Sequence, residues 1–283
     1  MIAAVRRSAI ELLESAGVES PDVDAELLLG HVLGLSRGQV QARVVTGAQL
    51  SDADRASVQT AVLRRAAREP LQHITGLAPF RSIELAVGPG VFVPRPETEQ
   101  VAQFAIDALK VIASAAPIGV DLGTGSGAIA LAMATEVPHA QIWAVENSAA
   151  AFSWTRQNFS THGHANAHLV FAGLADALPE LDGTVDVVIS NPPYIPTGAV
   201  PRDPEVRSFD PEHALYGGED GLDVVREVST TGLRLLHPGG TLVIEHGELQ
   251  AAKIAALLRA DGWTAVGAHR DLLGRDRATT AVR

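Results

Sequence analysis

Ile118-Gly119-Val120-Asp121-Leu122-Gly123-Thr124-Gly125-Ser126-Gly127-Ala128-Ile129-Ala130-Leu131 is the stretch whose grammar decides the fold. The short apolar run Ile118–Leu122 ends in glycine and reads as a buried strand; residues 127–136 continue as a helix. Between them three glycines let the backbone turn tightly and let a ligand come close where a Cβ would collide. The spacing is G-x-G-x-G. A turn that seats a pyrophosphate over a helix start is written G-x-G-x-x-G. Asp121 stands two positions before the first glycine.

Outward from this turn, strand and helix signals alternate. Ile142–Glu146, His168–Phe171, Val185–Ser190, Thr241–His246, Trp263–His269 and Ala278–Val282 read as strands. Residues 148–162, 219–236 and 248–260 read as helices, and His237-Pro238-Gly239-Gly240 as a turn. Such alternation predicts a mostly parallel sheet with helices on both faces, and ligands outside the carboxyl ends of its strands. Upstream, Pro94-Arg95-Pro96-Glu97-Thr98-Glu99 opens a helix, with Pro96 at its first position and acids facing the positive end of its dipole. Residues 71–93 mix apolar residues with Gly and Pro and read as a β-hairpin connector. The first 70 residues read as short helices with narrow apolar stripes, which must pack on one another; either a structural cap or a docking domain fits them. The predicted division is a helical domain 1–70, a hairpin linker 71–93 and a catalytic domain 94–283.

A chain of 283 residues, 46% hydrophobic, has the material for two packed domains. Zero cysteines exclude a disulfide framework, an iron–sulfur cluster, a thiolate zinc site and a cysteine nucleophile. The net charge is −11, nearly all of it beyond residue 78, and such a surface repels phosphate backbones. Glu11 and Glu14 interrupt any amino-terminal signal core, and no run is the roughly 18 predominantly apolar residues of a membrane span. We expect a soluble, cytoplasmic, monomeric protein with no membrane and no nucleic-acid partner. His162, His164 and His168 straddle a loop without an accompanying carboxylate, so solvated histidines are expected there and no metal site.

The glycine turn with Asp121 resembles the S-adenosylmethionine site of class I methyltransferases. On that resemblance Gly123, Thr124, Gly125, Ser126 and Gly127 form the cofactor turn, and Asp121 orients the amino-acid end of a ligand without phosphate. Glu146 closes the next strand, 19 positions after Gly127, where a carboxylate can accept from both ribose hydroxyls. At the end of the fourth strand stands Asn191-Pro192-Pro193-Tyr194. Its prolines remove two backbone donors and leave carbonyls; Asn191 adds an amide oxygen and Tyr194 a flat face. This set suits a planar NH2 on an sp2 carbon, each N–H accepted and the plane stacked. The residues themselves fit equally the amide of glutamine or asparagine and the exocyclic amine of adenine or cytosine.

Further motifs narrow the choice. Pro70–Gly76 (PLQHITG), Pro94–Glu99 (PRPETE), Asn191–Ile195 (NPPYI) and Pro211–Leu222 (PEHALYGGEDGL) together resemble the protein glutamine methyltransferases that modify peptide chain release factors. Glu245-His246-Gly247 and Asp271–Arg277 add to the likeness. The resemblance implies an α/β, Rossmann-like class I fold with a seven-stranded, mostly parallel sheet behind a small all-α amino-terminal domain. It implies methyl transfer from S-adenosylmethionine to the glutamine nitrogen of a release factor's Gly-Gly-Gln loop, with S-adenosylhomocysteine as by-product. Asn191, Pro192, Pro193 and Tyr194 then hold the glutamine, Asn191, Pro192 and Tyr194 carry the catalysis, and Asn191 and Thr98 border the cofactor. The sequence departs from the family pattern twice: Glu146 replaces a commoner Asp, and Ala172-Gly173-Leu174 lacks the usual Asp, leaving Leu174 to pack on adenine. The alternative is a nucleic-acid amino-methyltransferase acting on adenine N6, which shares NPPY alone. Residues 195–218, with four prolines, read as a long structureless lid or channel wall whose Arg202 and Arg207 meet the substrate protein.

Overall fold

The computed structural model describes all 283 residues, and the chain divides into two compact units. Unit 1 is Met1–Leu77 together with Pro201–Phe209; unit 2 is Ala78–Val200 with Asp210–Arg283.

Unit 1 opens with α1 (Ile2–Ser15), α2 (Pro21–Leu33), α3 (Arg37–Val45), α4 (Asp52–Ala66) and the short α5 (Leu71–Thr75). Their ends follow the punctuation of the sequence. Ser36 and Gln39 form a reciprocal capping box on α3, and Ser51 Oγ accepts from Asp54 N at 3.0 Å on α4. Gly34 ends α2 in the left-handed region. The apolar stripes converge on one core of Ile2, Leu13, Leu28, Leu29, Val40, Val58 and Val62. Glu26, nearly fully buried, accepts from Arg6, Arg37 and Gln41 at 2.7–2.9 Å. Burial pushes its carboxyl up, and those hydrogen bonds outweigh burial and hold it below the usual range.

Unit 2 is the sheet unit. Its hairpin, β1 (Leu77–Phe80) and β2 (Ile83–Ala86), is shorter than the predicted 71–93, because residues 71–75 are helical and Gly76 caps them with φ 77°. Phe80 and Leu85 are fully buried in the core under α6 (Pro96–Val111), so the hairpin belongs to this unit's interior and is more than a connector. Then follow β3 (Ile118–Leu122), α7 (Ala128–Glu136), β4 (Gln141–Glu146), α8 (Ala149–His162), β5 (Ala167–Phe171) and β6 (Val185–Ser190). After the excursion through α9 (Pro204–Phe209), which lies in unit 1, the unit closes with α10 (Asp223–Leu235), β7 (Leu236–Glu245), α11 (Ala251–Ala260), β8 (Thr264–Arg270) and β9 (Asp276–Val282).

The sheet runs β5-β4-β3-β6-β7-β9-β8; β3 to β7 are parallel and β9 is antiparallel to both neighbours. The chain moves from β3 outward to β5 and then returns to β6 on the other side of β3. That reversal opens a crevice at the carboxyl ends of β3 and β6. Two apolar layers cover the faces: Ile106, Leu109, Leu131 and Met133 on one, Leu235, Ile254, Leu258 and Trp263 on the other. Trp154 lies against Gly88, where a Cβ would come within 2.5 Å of the indole, and its Nε1 donates to Pro89 O at 3.2 Å.

Three local expectations need correction. The helix predicted over 219–236 starts at Asp223, because Gly218 and Gly221 hold positive φ. His237–Gly240 lies inside β7, where the register against β6 shifts. Residues 195–218 are not structureless: they hold α9, a 3-10 turn at Glu212–Ala214 and a bridge from Ile195 to Tyr216. Glu205 on α9 bonds Arg65 Nη1 and Arg68 Nη2, each at 2.8 Å, and Arg65 also holds Asp24 at 2.7 Å. No helix is long and apolar enough to cross a membrane.

Candidate active site

At the end of β3 the glycine turn is braced from three sides. Asp121 is fully buried; its Oδ2 accepts from Thr124 Oγ1 at 2.6 Å and from Ala130 N at 3.2 Å, tying strand to helix. Its Oδ1 is buried without a partner. Burial pushes this carboxyl up to about 7; the Thr124 and Ala130 bonds oppose the shift and the charge of Glu146 adds to it. Gly123, Gly125 and Gly127 take φ of 74°, 60° and 87°. At Gly127 a Cβ would press on Phe159 and Thr155 of α8 at 3.0 and 3.1 Å, whereas nothing stands within 4 Å of one at Gly123 or Gly125. Two of the three glycines therefore face open space. From α8, Asn158 Nδ2 donates to Ser126 O at 2.9 Å and Thr155 Oγ1 donates to Gly125 O.

Glu146, at the end of β4, serves the turn directly. Oε2 accepts from Gly125 N at 2.9 Å, and Oε1 from Asn147 N and Ser148 N at 2.9 and 2.7 Å. A carboxylate offers roughly four acceptor positions, so about one is left for a ligand hydroxyl. Leu174 is buried in the core with Val145 and Leu178, and its carbonyl accepts from Thr231 Oγ1 at 3.2 Å. Its side chain is committed to the sheet unit's interior. A turn with two open glycines, an unpartnered carboxylate oxygen and one spare acceptor fits a ligand with an ammonium group and a sugar, as S-adenosylmethionine has.

β6 lies beside β3, with Asp121 opposite Ile189 in register, and Ser190 Oγ donates to Leu122 O at 2.7 Å. The two strand ends are thereby locked together, so Asn191–Tyr194 leaves the sheet next to the glycine turn. What shapes this loop lies elsewhere in sequence. Ile195 N donates to Leu215 O, Gly217 N to Ile195 O and Thr197 N to Gly218 O, each at 2.9 Å. Gln250 Nε2 donates to Tyr194 O at 2.8 Å. A Cβ on Gly217 would lie 2.4 Å from Pro193 O, and one on Gly221 would lie 2.3 Å from Tyr194 O. Residues 215–221, through their backbone, and the Gln250 side chain thus mould the acceptor loop. Sequence reading noticed the glycines of this motif but gave them no role. Their spacing, two adjacent and a third three positions on, was the available signal.

Thr98, buried in the first turn of α6, accepts from Asn191 Nδ2 at 3.4 Å and so touches the acceptor residue. Tyr194 is half-buried; burial above all, and then the charge of Glu245, push its phenol up to about 12, which keeps the ring neutral. The three histidines go to separate partners: His162 to Glu84 O, His164 to Thr135 and His168 to Gln141. Arg202 and Arg207 sit on the segment that belongs to unit 1.

A reversal of strand order beside an open glycine turn, with an acceptor loop on the neighbouring strand, defines a class I S-adenosylmethionine-dependent methyltransferase. A methyltransferase from Pyrococcus furiosus shares this fold, with a TM-score of 0.51 at 20% identity over 79% of this chain and 96% of that one. Residues 4–76 match the model of the PrmC N-terminal domain and residues 82–203 that of the methyltransferase small domain. The release factor glutamine methyltransferase of Bifidobacterium longum is 45% identical across 100% of this chain and 99% of its own. A 4-amino-L-phenylalanine/4-methylamino-L-phenylalanine methyltransferase of Streptomyces pristinaespiralis is 43% identical over 78% of this chain and 76% of its own. The chain belongs to the release factor glutamine methyltransferase family.

Proposed function

We propose that this protein methylates the side-chain nitrogen of the glutamine in the Gly-Gly-Gln loop of a peptide chain release factor, with S-adenosylmethionine as donor. The observation that carries the proposal is the lock between the ends of β3 and β6, which sets Asn191–Tyr194 against the glycine turn. When bound, S-adenosylmethionine supplies an electrophilic methyl carbon and departs as S-adenosylhomocysteine.

The chain's own residues do the rest. Asn191 Oδ1 and a carbonyl of the Pro192-Pro193 pair accept the two N–H bonds of the glutamine amide, and Tyr194 covers its plane. An amide nitrogen is a poor nucleophile because its lone pair is shared with the carbonyl. Fixing both N–H bonds aims that lone pair at the methyl carbon; orientation of this kind is worth about 7–11 kcal/mol in favourable cases. The bound donor would supply the methyl carbon to this nitrogen and retain the electron pair of the carbon–sulfur bond on its sulfur. The alkylated amide then sheds a proton to water, so no side-chain base is needed. Gly123, Thr124, Gly125, Ser126 and Gly127 would cradle the donor, with Asp121 toward its ammonium and Glu146 toward its ribose hydroxyls. The helical unit is the docking surface for the release factor's body.

Labelled S-adenosylmethionine, purified release factor and peptide mapping test this. Label on the glutamine of Gly-Gly-Gln is expected. Its absence, in protein that binds the donor, overturns the proposal. The Streptomyces relative gives the assay a second arm, since an aryl amine is also a planar NH2 on sp2 carbon. Label on 4-amino-phenylalanine, or on adenine in DNA, in place of the release factor would reassign the acceptor.

A further inference from the structure

Glu245 ends β7 and is almost wholly buried, yet neither the cofactor turn nor the acceptor loop, as assigned above, uses it. Sheet register explains its position. Ser190 pairs with Ile244, so the next residues on the two strands, Asn191 and Glu245, are neighbours at the carboxyl edge. The first turn of α6 lies over the same edge and brings Thr98 to Asn191 Nδ2. The Thr98 hydroxyl and the Asn191 amide both favour the ionised Glu245 carboxyl, and its Oε2 is buried without a hydrogen-bond partner.

This cluster bears on an ambiguity in the acceptor site. A side-chain amide can point either its oxygen or its NH2 into the crevice, and only the oxygen can accept an N–H of the substrate. An ionised carboxylate only accepts. Placed beside Asn191, it favours the NH2 end and so turns Oδ1 outward; Thr98 accepts from Asn191 Nδ2, which leaves its own proton for the carboxylate and reinforces the same choice. We propose that Glu245 is a positioning residue that fixes the Asn191 amide with its oxygen toward the substrate, with Thr98 as relay. The proposal rests on Asn191 being the acceptor of the substrate amide.

Its protonation state matters. Burial, the largest influence, pushes the Glu245 carboxyl up to about 7 against the pull of Thr98, Arg277 and Asn191. The charged and titratable groups that face it are Glu97 on α6, Tyr194 after β6 and Arg277 on β9, with His246 next to it on β7. Once protonated, the carboxyl becomes a donor and the preference for the Asn191 NH2 end is lost. Turnover therefore falls as pH drops through about 7 and is retained above it.

The test is kinetic, with binding alongside. Glu245→Gln keeps the shape but can donate as well as accept. It should lower kcat about 10- to 100-fold, the scale expected of a misaligned reactant, while thermal unfolding and S-adenosylmethionine affinity stay near wild type. The acid limb of kcat at saturating donor should disappear in Glu245→Gln and persist in Asp121→Asn. Thr98→Ser, which retains the hydroxyl, should keep most of the activity that Thr98→Val loses. A Gly-Gly-Gln peptide, titrated by calorimetry with S-adenosylhomocysteine present, should bind Glu245→Gln more weakly than wild type. Wild-type kcat with an unchanged acid limb in Glu245→Gln would overturn the inference. If that result came with an inactive Asn191→Ala, the acceptor assignment would stand and only the role of Glu245 would fall; an active Asn191→Ala would remove both.

Discussion

Gly217→Ala separates the moulding of the acceptor loop from general stability. The added Cβ would lie 2.4 Å from Pro193 O and 2.8 Å from Gly221 O, against the 3.4 Å at which ordinary contact begins. Both obstacles are backbone, so no rotamer change relieves them. Opening the contact needs a movement of about 1 Å between the Gly217 backbone and the proline pair, and displacement on that scale costs about 100-fold in rate when it misplaces reacting groups. Overpacking of this kind costs roughly 1–3 kcal/mol of stability, a modest change for a chain with two cores. The assay is kcat/KM for methyl transfer to a release factor, beside thermal unfolding and calorimetric S-adenosylmethionine binding. We expect a loss of about 100-fold in kcat/KM, carried mainly by kcat, with donor binding little changed. Gly198→Ala is the control, because a Cβ there meets nothing within 4 Å in the same connection. Activity within about threefold of wild type in a folded Gly217→Ala protein would refute the idea that residues 215–221 set the loop's position.

Three other outcomes follow from the same geometry. Asn191→Ala removes an acceptor of the substrate N–H and should cut kcat/KM by at least about 100-fold without changing the melting temperature by more than a few degrees; kinetics and calorimetry check both. Asp121 holds a proton up to about pH 7, while in the unfolded chain it ionises in the ordinary carboxylate range. Its contribution to stability is full below about pH 4 and is lost as pH rises through 7, so ligand-free Asp121→Asn should melt higher than wild type at pH 8 and bind S-adenosylmethionine more weakly. Glu205 is the opposite case: burial pushes it up, but Arg68 and Arg65 outweigh burial and bring it down to about 2. Its contribution is full above about pH 4.5 and fades as pH falls toward 2, so Glu205→Gln should destabilise unit 1 by about 1–2 kcal/mol at pH 7 and flatten its acid transition, read by denaturant unfolding.

Both landmarks of the candidate site were legible in sequence for one reason: each lies where a continuous apolar strand stops, and the stop is written in adjacent residues. Asp121–Gly127 and Asn191–Tyr194 needed no knowledge of distant segments. The helices of unit 1 were legible through their Ser, Pro and Gly punctuation. Glu245 was not, because its importance arises from pairing β6 with β7 and from α6 crossing their ends, and no local pattern announces such a meeting. The roles of Gly217 and Gly221 were hidden in the same way. Glu146 was legible as the end of its strand, but its three backbone donors become visible only when the turn closes around it. Helix α9 escaped detection because six residues carry too little periodicity, and its anchor, Glu205, meets arginines about 140 positions away in the chain.

That anchor limits how the gene can be cut. The polypeptide leaves unit 2 after Val200, contributes nine residues to unit 1 and returns at Asp210, so the helical unit is assembled from two separate pieces. A chimera that exchanges only the first 77 residues with a homologue would join a foreign Arg65–Arg68 ledge to a native Glu205. Grafts between relatives should succeed when 201–209 travels with the amino terminus, and substitutions along the two pieces should be inherited together.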